Sequence, residues 1–186
     1  MRCADCGAYV NEKDAHMCPE PVLVISHCDD INPRVDYDHL GTMACWHQRY
    51  TLGDVQPKED LKEWLEENGP FFVQLPLYLF DHSGIVMSTT PFSCRWDSGQ
   101  VGVIVAKAED VRREWGVVND AIKKKVVECL EAEIRLYDQY LSGDVWGYKY
   151  GDDSCYGFFG NELEETGLLD HINAPPEIIR AAWEAR

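Results

Sequence analysis

The stretch Phe71–Thr90, FFVQLPLYLFDHSGIVMSTT, decides the class of fold. Its first half is aromatic and aliphatic, with one internal break at Pro76. It then meets Ser83-Gly84, a pair that turns a chain, and a second apolar run follows. Two strands joined by a short turn are predicted. GQVGVIVAK (99–107) adds a third after a glycine-flanked entry, and all three are expected as neighbours in one sheet.

Working outward, PVLVISH (21–27) is a short apolar run with β-branched residues and is expected as a strand buried on both faces. Residues 28–54 mix turn formers (Asn32-Pro33, Gly41, Gly53-Asp54) with aromatics and histidines, which predicts a long ordered loop of the kind that carries function. KEDLKEWLEENGP (58–70) is a helix with Leu61, Trp64 and Leu65 on one stripe, stopped by Asn68-Gly69-Pro70. AEDVRREWG is a short helix closed by Gly116. Asn119 then caps a long one in which Ile122, Val126, Leu130, Ile134, Tyr137 and Leu141 recur every three or four residues, up to Ser142-Gly143. VWGYKY and SCYGFFG are aromatic strands around Gly151-Asp152-Asp153, and a last helix runs from Pro176 to Trp183.

The expected fold is α+β: a mostly antiparallel sheet packed by a long helix and shorter helices, forming one domain over 21–186. Trp64, Leu77, Leu79, Val103, Val105, Ile122, Leu130 and Ile134 are expected in one cluster, with Trp96 folded back onto the core.

Residues 1–20 are expected as a separate zinc-knuckle-like segment. Cys3 and Cys6 give a Cys-x-x-Cys turn, and His16 with Cys18 can complete a tetrahedral shell, so a zinc knuckle with one structural zinc is expected. His27 or Cys28 could stand in for His16, and the Cys-x-x-Cys could instead be a redox dithiol or leave its thiols unligated. Such a closed four-ligand site leaves no position for a reacting water.

Charge limits the partners. The chain carries 17 Lys and Arg against 33 Asp and Glu, a net −16, so direct binding to a phosphate backbone is disfavoured. Between Glu128 and Asp170 eleven acidic residues face two basic ones, −9 in that segment alone. Such a run is either a solvated face or a surface that imitates nucleic acid; Glu128, Glu131, Asp138, Asp152 and Asp153 are its candidate partner-binding residues. No apolar run reaches the roughly 20 residues that span a bilayer, and the first residues lack the plan of an export signal, so no membrane contact and a cytoplasmic location are expected.

Two other groupings carry potential chemistry. Asp81-His82-Ser83 holds the residue types of a hydrolytic triad, but neighbours on a strand point to opposite faces, so the three cannot act as one. Cys94 in FSCRWDSGQVG is a candidate nucleophile with only Arg95 nearby to favour a thiolate.

DHLGTMACWHQRYTLGD (38–54), LYLFDHSG (77–84) and WDSGQVG (96–102), in that order, resemble the signature blocks of a family of uncharacterised proteins encoded by bacteriophages and integrated mobile elements. The likeness spans about residues 22–160 and leaves out the opening Cys/His segment. It supplies no catalytic residue. What it implies is context, since small accessory proteins of such elements act on host or defence machinery.

Two functions follow as expectations. The first is an acidic, phage-type counter-defence protein that blocks a host nucleic-acid-handling complex, of the anti-CRISPR or anti-restriction kind, by setting a DNA-mimicking face against a basic groove. The alternative is a small metal-assisted enzyme built on His47, Asp81, His82 and Asp97.

Overall fold

The computed structural model describes residues 21–57 and 61–186. Cys3, Cys6, His16 and Cys18, and with them the expected knuckle, lie outside the described residues. The elements in chain order are β1 (Leu23–His27), α1 (Pro33–Asp36), β2 (Thr42–Cys45), α2 (Leu61–Asn68), β3 (Val73–Asp81), β4 (Ile85–Ser88), β5 (Ser98–Ala106), α3 (Ala108–Trp115), α4 (Asp120–Ser142), β6 (Val145–Tyr150), β7 (Asp153–Phe159), α5 (Leu163–Thr166), α6 (Leu168–His171) and α7 (Pro176–Glu184). The class is α+β as expected, but the strands divide between two antiparallel sheets, ordered β2-β5-β3-β4 and β1-β6-β7.

In the larger sheet, β3 and β4 form the expected hairpin, and Ser83 takes the left-handed conformation in its turn at φ 60°. β5 returns beside β3 from Val73↔Ala106 to Phe80↔Ser98. The 28–54 segment hides a strand: β2 pairs with the other edge of β5, from Thr42↔Val105 to Cys45↔Gly102. A Cβ on Gly102 would stand 2.3 Å from the Ala44 carbonyl oxygen, so the two strands meet at a distance only glycine permits.

Residues 101–106 of β5 are all buried because both faces of this sheet are covered. On one face Val126, Leu130, Ile134 and Tyr137 of α4 pack on Leu77, Leu79, Met87 and Ile104. On the other, Leu61, Trp64 and Leu65 of α2, with Phe71, cover Ala44, Val103 and Val105. The single expected cluster is therefore two: Trp64, Val103 and Val105 lie across the sheet from Leu130 and Ile134, since successive strand residues face opposite ways. Full burial of a side chain such as Leu130 contributes about 1.5–3 kcal/mol. The caps of α4 form as read, with the Asn119 side chain accepting from Ile122 N–H at 3.0 Å and Gly143 left-handed at φ 79°.

The smaller sheet corrects the reading of β1, which is an edge strand paired only with β6. Leu23 and Ile25 point inward while Val22 and Val24 are exposed. The inward face, with Trp146 and Tyr148, is covered by Leu163, Leu168, Ile172, Ile179 and Trp183 of the C-terminal helical segment. Helix α4 links the two sheets: Leu136 and Tyr140 also pack against Cys28, Val145 and Phe159. His27 and Cys28 are occupied here. The His27 Nδ1 lies 3.0 Å from the Gly143 carbonyl oxygen, its ring lies tilted against Trp146 with centroids 3.9 Å apart, and Cys28 is buried. Among the described residues no helix is long and apolar enough to cross a membrane.

Candidate functional site

After Cys45↔Gly102 the strands β2 and β5 part. Trp46 N–H still donates to the Val101 carbonyl at 2.7 Å, and the chain then turns away through His47–Tyr50. The divergence opens a cleft of about 460 Å³. Trp46, His47, Gln48 and Arg49 form one side, Leu79 and Asp81 come from the end of β3, and Trp96 to Val101 complete it. Three segments distant in sequence meet here, one from each of the three blocks quoted above.

Several of its polar groups are paired with neighbours at its edge. The Arg49 guanidinium donates to Asp81, whose other carboxylate oxygen lies 3.3 Å from the Tyr50 hydroxyl. The His47 ring stacks on Tyr50 at 5.0 Å, and its Nδ1 accepts from the backbone N–H groups of Arg49 and Tyr50, both at 3.2 Å, which fixes the turn. The His82 Nδ1 is 3.4 Å from Asp97 Oδ2, and the Cys94 thiol donates to that same oxygen at 3.4 Å. Asp97 is tied to Asp81 through the backbone, accepting from its N–H at 2.8 Å.

Of the four residues expected from sequence to form an enzyme site, His47, Asp81 and Asp97 line the cleft, and His82 stands beside Asp97 with its side chain 66% exposed. Among the described residues no group of three or more His, Cys, Asp and Glu side chains is placed to hold a metal ion. The Cys94 thiol donates to the Asp97 carboxylate, so the imidazole partner of a Cys–His nucleophile pair is not what it meets.

The aromatic walls carry no signal in the sequence. Trp96, expected in the core, is 97% exposed, and Trp46 is 57% exposed. Trp96 sits in the irregular segment before β5, where no strand or helix turns it inward. Arg49 and Gln100 were equally unmarked, because isolated polar residues carry no pattern until the fold brings them together.

The acidic residues separate into two kinds. Glu128, Asp152 and Asp153 are exposed and Glu131 is half-buried, with Lys124 3.9 Å from Glu128 one turn away. Asp138 was expected on the same surface, but it is half-buried and accepts from Met87 N–H at 2.6 Å, and burial pushes its carboxyl above the usual aspartate range. Glu133 is also internal. It accepts from Arg34 Nη1 at 2.8 Å and from Leu40 N–H at 2.7 Å.

Arg34 is 7% exposed and also donates to Asp54 and to the Gly41 carbonyl. Burial works against its charge, but Asp54 and Glu133 outweigh that and hold it above the usual arginine value. This cluster lies beside a second cavity, of about 730 Å³, between α3, α4 and residues 38–42. Comparison with protein-family models, curated proteins and solved structures found no match to the chain.

Proposed function

We propose that the chain is a phage-type accessory protein that binds, and so blocks, a basic surface on a host nucleic-acid-handling or defence complex. The observation that carries this reading is the placing of its exposed carboxylates, of which Glu128 also meets Lys124, Asp153 the Tyr148 hydroxyl and Glu164 the Arg180 guanidinium. Glu128 on α4, Asp152 and Asp153 at the β6–β7 turn, and Glu162, Glu164 and Glu165 at α5 are all exposed on or beside regular structure, in a chain of net charge −16. A rigid acidic surface speeds encounter with a basic groove and competes there with nucleic acid. The zinc expected at Cys3, Cys6, His16 and Cys18 has a structural role in this proposal.

The test is an interference assay in cells carrying a CRISPR or restriction system, with the natural chain and a Glu128→Lys, Glu131→Lys, Asp152→Lys variant. Asp138 is left alone because it holds Met87. The natural chain is expected to protect incoming DNA and the variant to fail with its melting temperature unchanged. Equal potency of the two would falsify the reading.

One observation favours an enzyme instead: the His82 Nδ1 lies 3.4 Å from Asp97 Oδ2, the carboxylate–imidazole pairing that a general base uses. In that case His82→Ala abolishes activity and the charge reversals leave it intact.

A further inference from the structure

We infer that the cleft between Trp46 and Trp96 is where the partner is anchored, and that its occupant is an arginine side chain presented by a basic protein surface. This rests on the interaction-protein reading and adds the place and chemistry of contact.

Three observations converge. Trp96 at 97% and Trp46 at 57% exposure line the same cleft, and no packing of the fold accounts for the outer faces of their rings. Indole is the best side-chain acceptor for a cation over its face, and tryptophan is among the residues that dominate binding energy at protein interfaces.

Gly99 supplies the second. It lines the cleft opposite Leu79 in the β3–β5 register, its φ is not in the left-handed region, and a Cβ built on it would meet nothing within 4 Å. Neither backbone conformation nor packing calls for glycine at this position. Its effect is to keep the cleft open for a group from outside.

Charge supplies the third. Counting histidines as neutral, the cleft holds two carboxylates against one guanidinium. Asp81 is taken by Arg49, whereas Asp97 contacts only an imidazole and a thiol and its side chain is 39% exposed. A planar guanidinium fits this arrangement better than an ammonium does, because it can donate in a fork to Asp97 while its flat face lies on indole.

The experiment is calorimetric titration of the full chain with a short peptide of alternating arginine and glycine, against a lysine–glycine peptide of equal length. The arginine peptide is expected to bind more tightly and to change tryptophan fluorescence. Trp96→Ala and Gly99→Val should each weaken it about tenfold. Trp96 is almost wholly exposed, so its removal leaves the fold intact and keeps the result readable if Gly99→Val perturbs β5. Binding that ignores both cleft variants but is lost in the Glu128→Lys, Glu131→Lys chain overturns the cleft as anchor and leaves the acidic-surface reading standing. Equal binding of the two peptides overturns the preference for arginine. Absence of binding by either overturns the whole inference, while the interference assay still decides the function.

Discussion

Arg34 and Glu133 are 99 residues apart in sequence, and the Arg34 Nη1 donates to Glu133 Oε2 at 2.8 Å with both side chains largely buried. Through this pair α1 is bound to the middle of α4. The second Glu133 oxygen takes the Leu40 N–H, so the same carboxylate positions the approach to β2. The pair thereby sets where β2 begins, and β2 sets where the cleft opens.

Removing Arg34 leaves Asp54 and Glu133 buried near each other without their cation. Arg34→Ala should cost about 3–5 kcal/mol. Glu133→Gln keeps an acceptor for Leu40 N–H and should cost less, about 1–3 kcal/mol. Urea denaturation of the two variants gives both numbers, and a loss from Arg34→Ala under about 1 kcal/mol contradicts the role given to the cluster.

Gly102 is held by backbone on the facing strand, which cannot rotate away. Gly102→Ala should destabilise by about 3 kcal/mol or more, at or above the usual range for overpacking. Gly99→Ala, three residues earlier on the same strand, should change stability by under about 0.5 kcal/mol, as at an ordinary surface position. Thermal melts of the pair separate a glycine required by the fold from one that is not.

Asp138 gives a pH dependence with a definite sign. Its folded pKa is raised, so its contribution to stability is fully present below the unfolded value and is lost as pH rises through the folded one. Asp138→Asn keeps an acceptor for Met87 N–H and never ionises. Relative to the natural chain it should gain stability as pH rises from the ordinary aspartate value through the raised folded one, with the difference vanishing at the acid end. A difference that grows toward acid reverses the assignment.

Stoichiometric zinc is expected in protein purified without chelator, on the strength of the Cys3, Cys6, His16 and Cys18 spacing. Cys3→Ser should lower the metal content while the denaturation midpoint of the main domain holds, because metal-binding energy is local folding energy. Metal-free protein from such a preparation rules the site out.

Cys45 and Cys94 illustrate what composition leaves open. The Cys45 thiol is pushed up to about 12, chiefly by burial, with Asp54 adding to it, whereas Cys94 is half-buried beside Asp97. Nothing in either local sequence distinguishes the two.

Local physics wrote much of this molecule into its sequence. Asn119, the 3.6-residue stripe from Ile122 to Leu141, and Gly143 specify α4 completely, because caps and periodicity act within a few residues of themselves. The β3–β4 hairpin and the β6–β7 pair were legible for the same reason, their turns being encoded beside their strands. Tertiary structure alone decided the rest. TMAC is too short to announce itself as a strand and becomes one because β5 offers it an edge; Leu23–His27 joins a second sheet because β6, more than a hundred residues later, pairs with it. Trp46, Asp81 and Trp96 make a cleft only once β2 diverges from β5, and whether Glu128 faces water while Glu133 and Asp138 turn inward depends on what packs against α4. Contacts between residues so far apart depend on the whole core being assembled, and no short window of sequence contains that information.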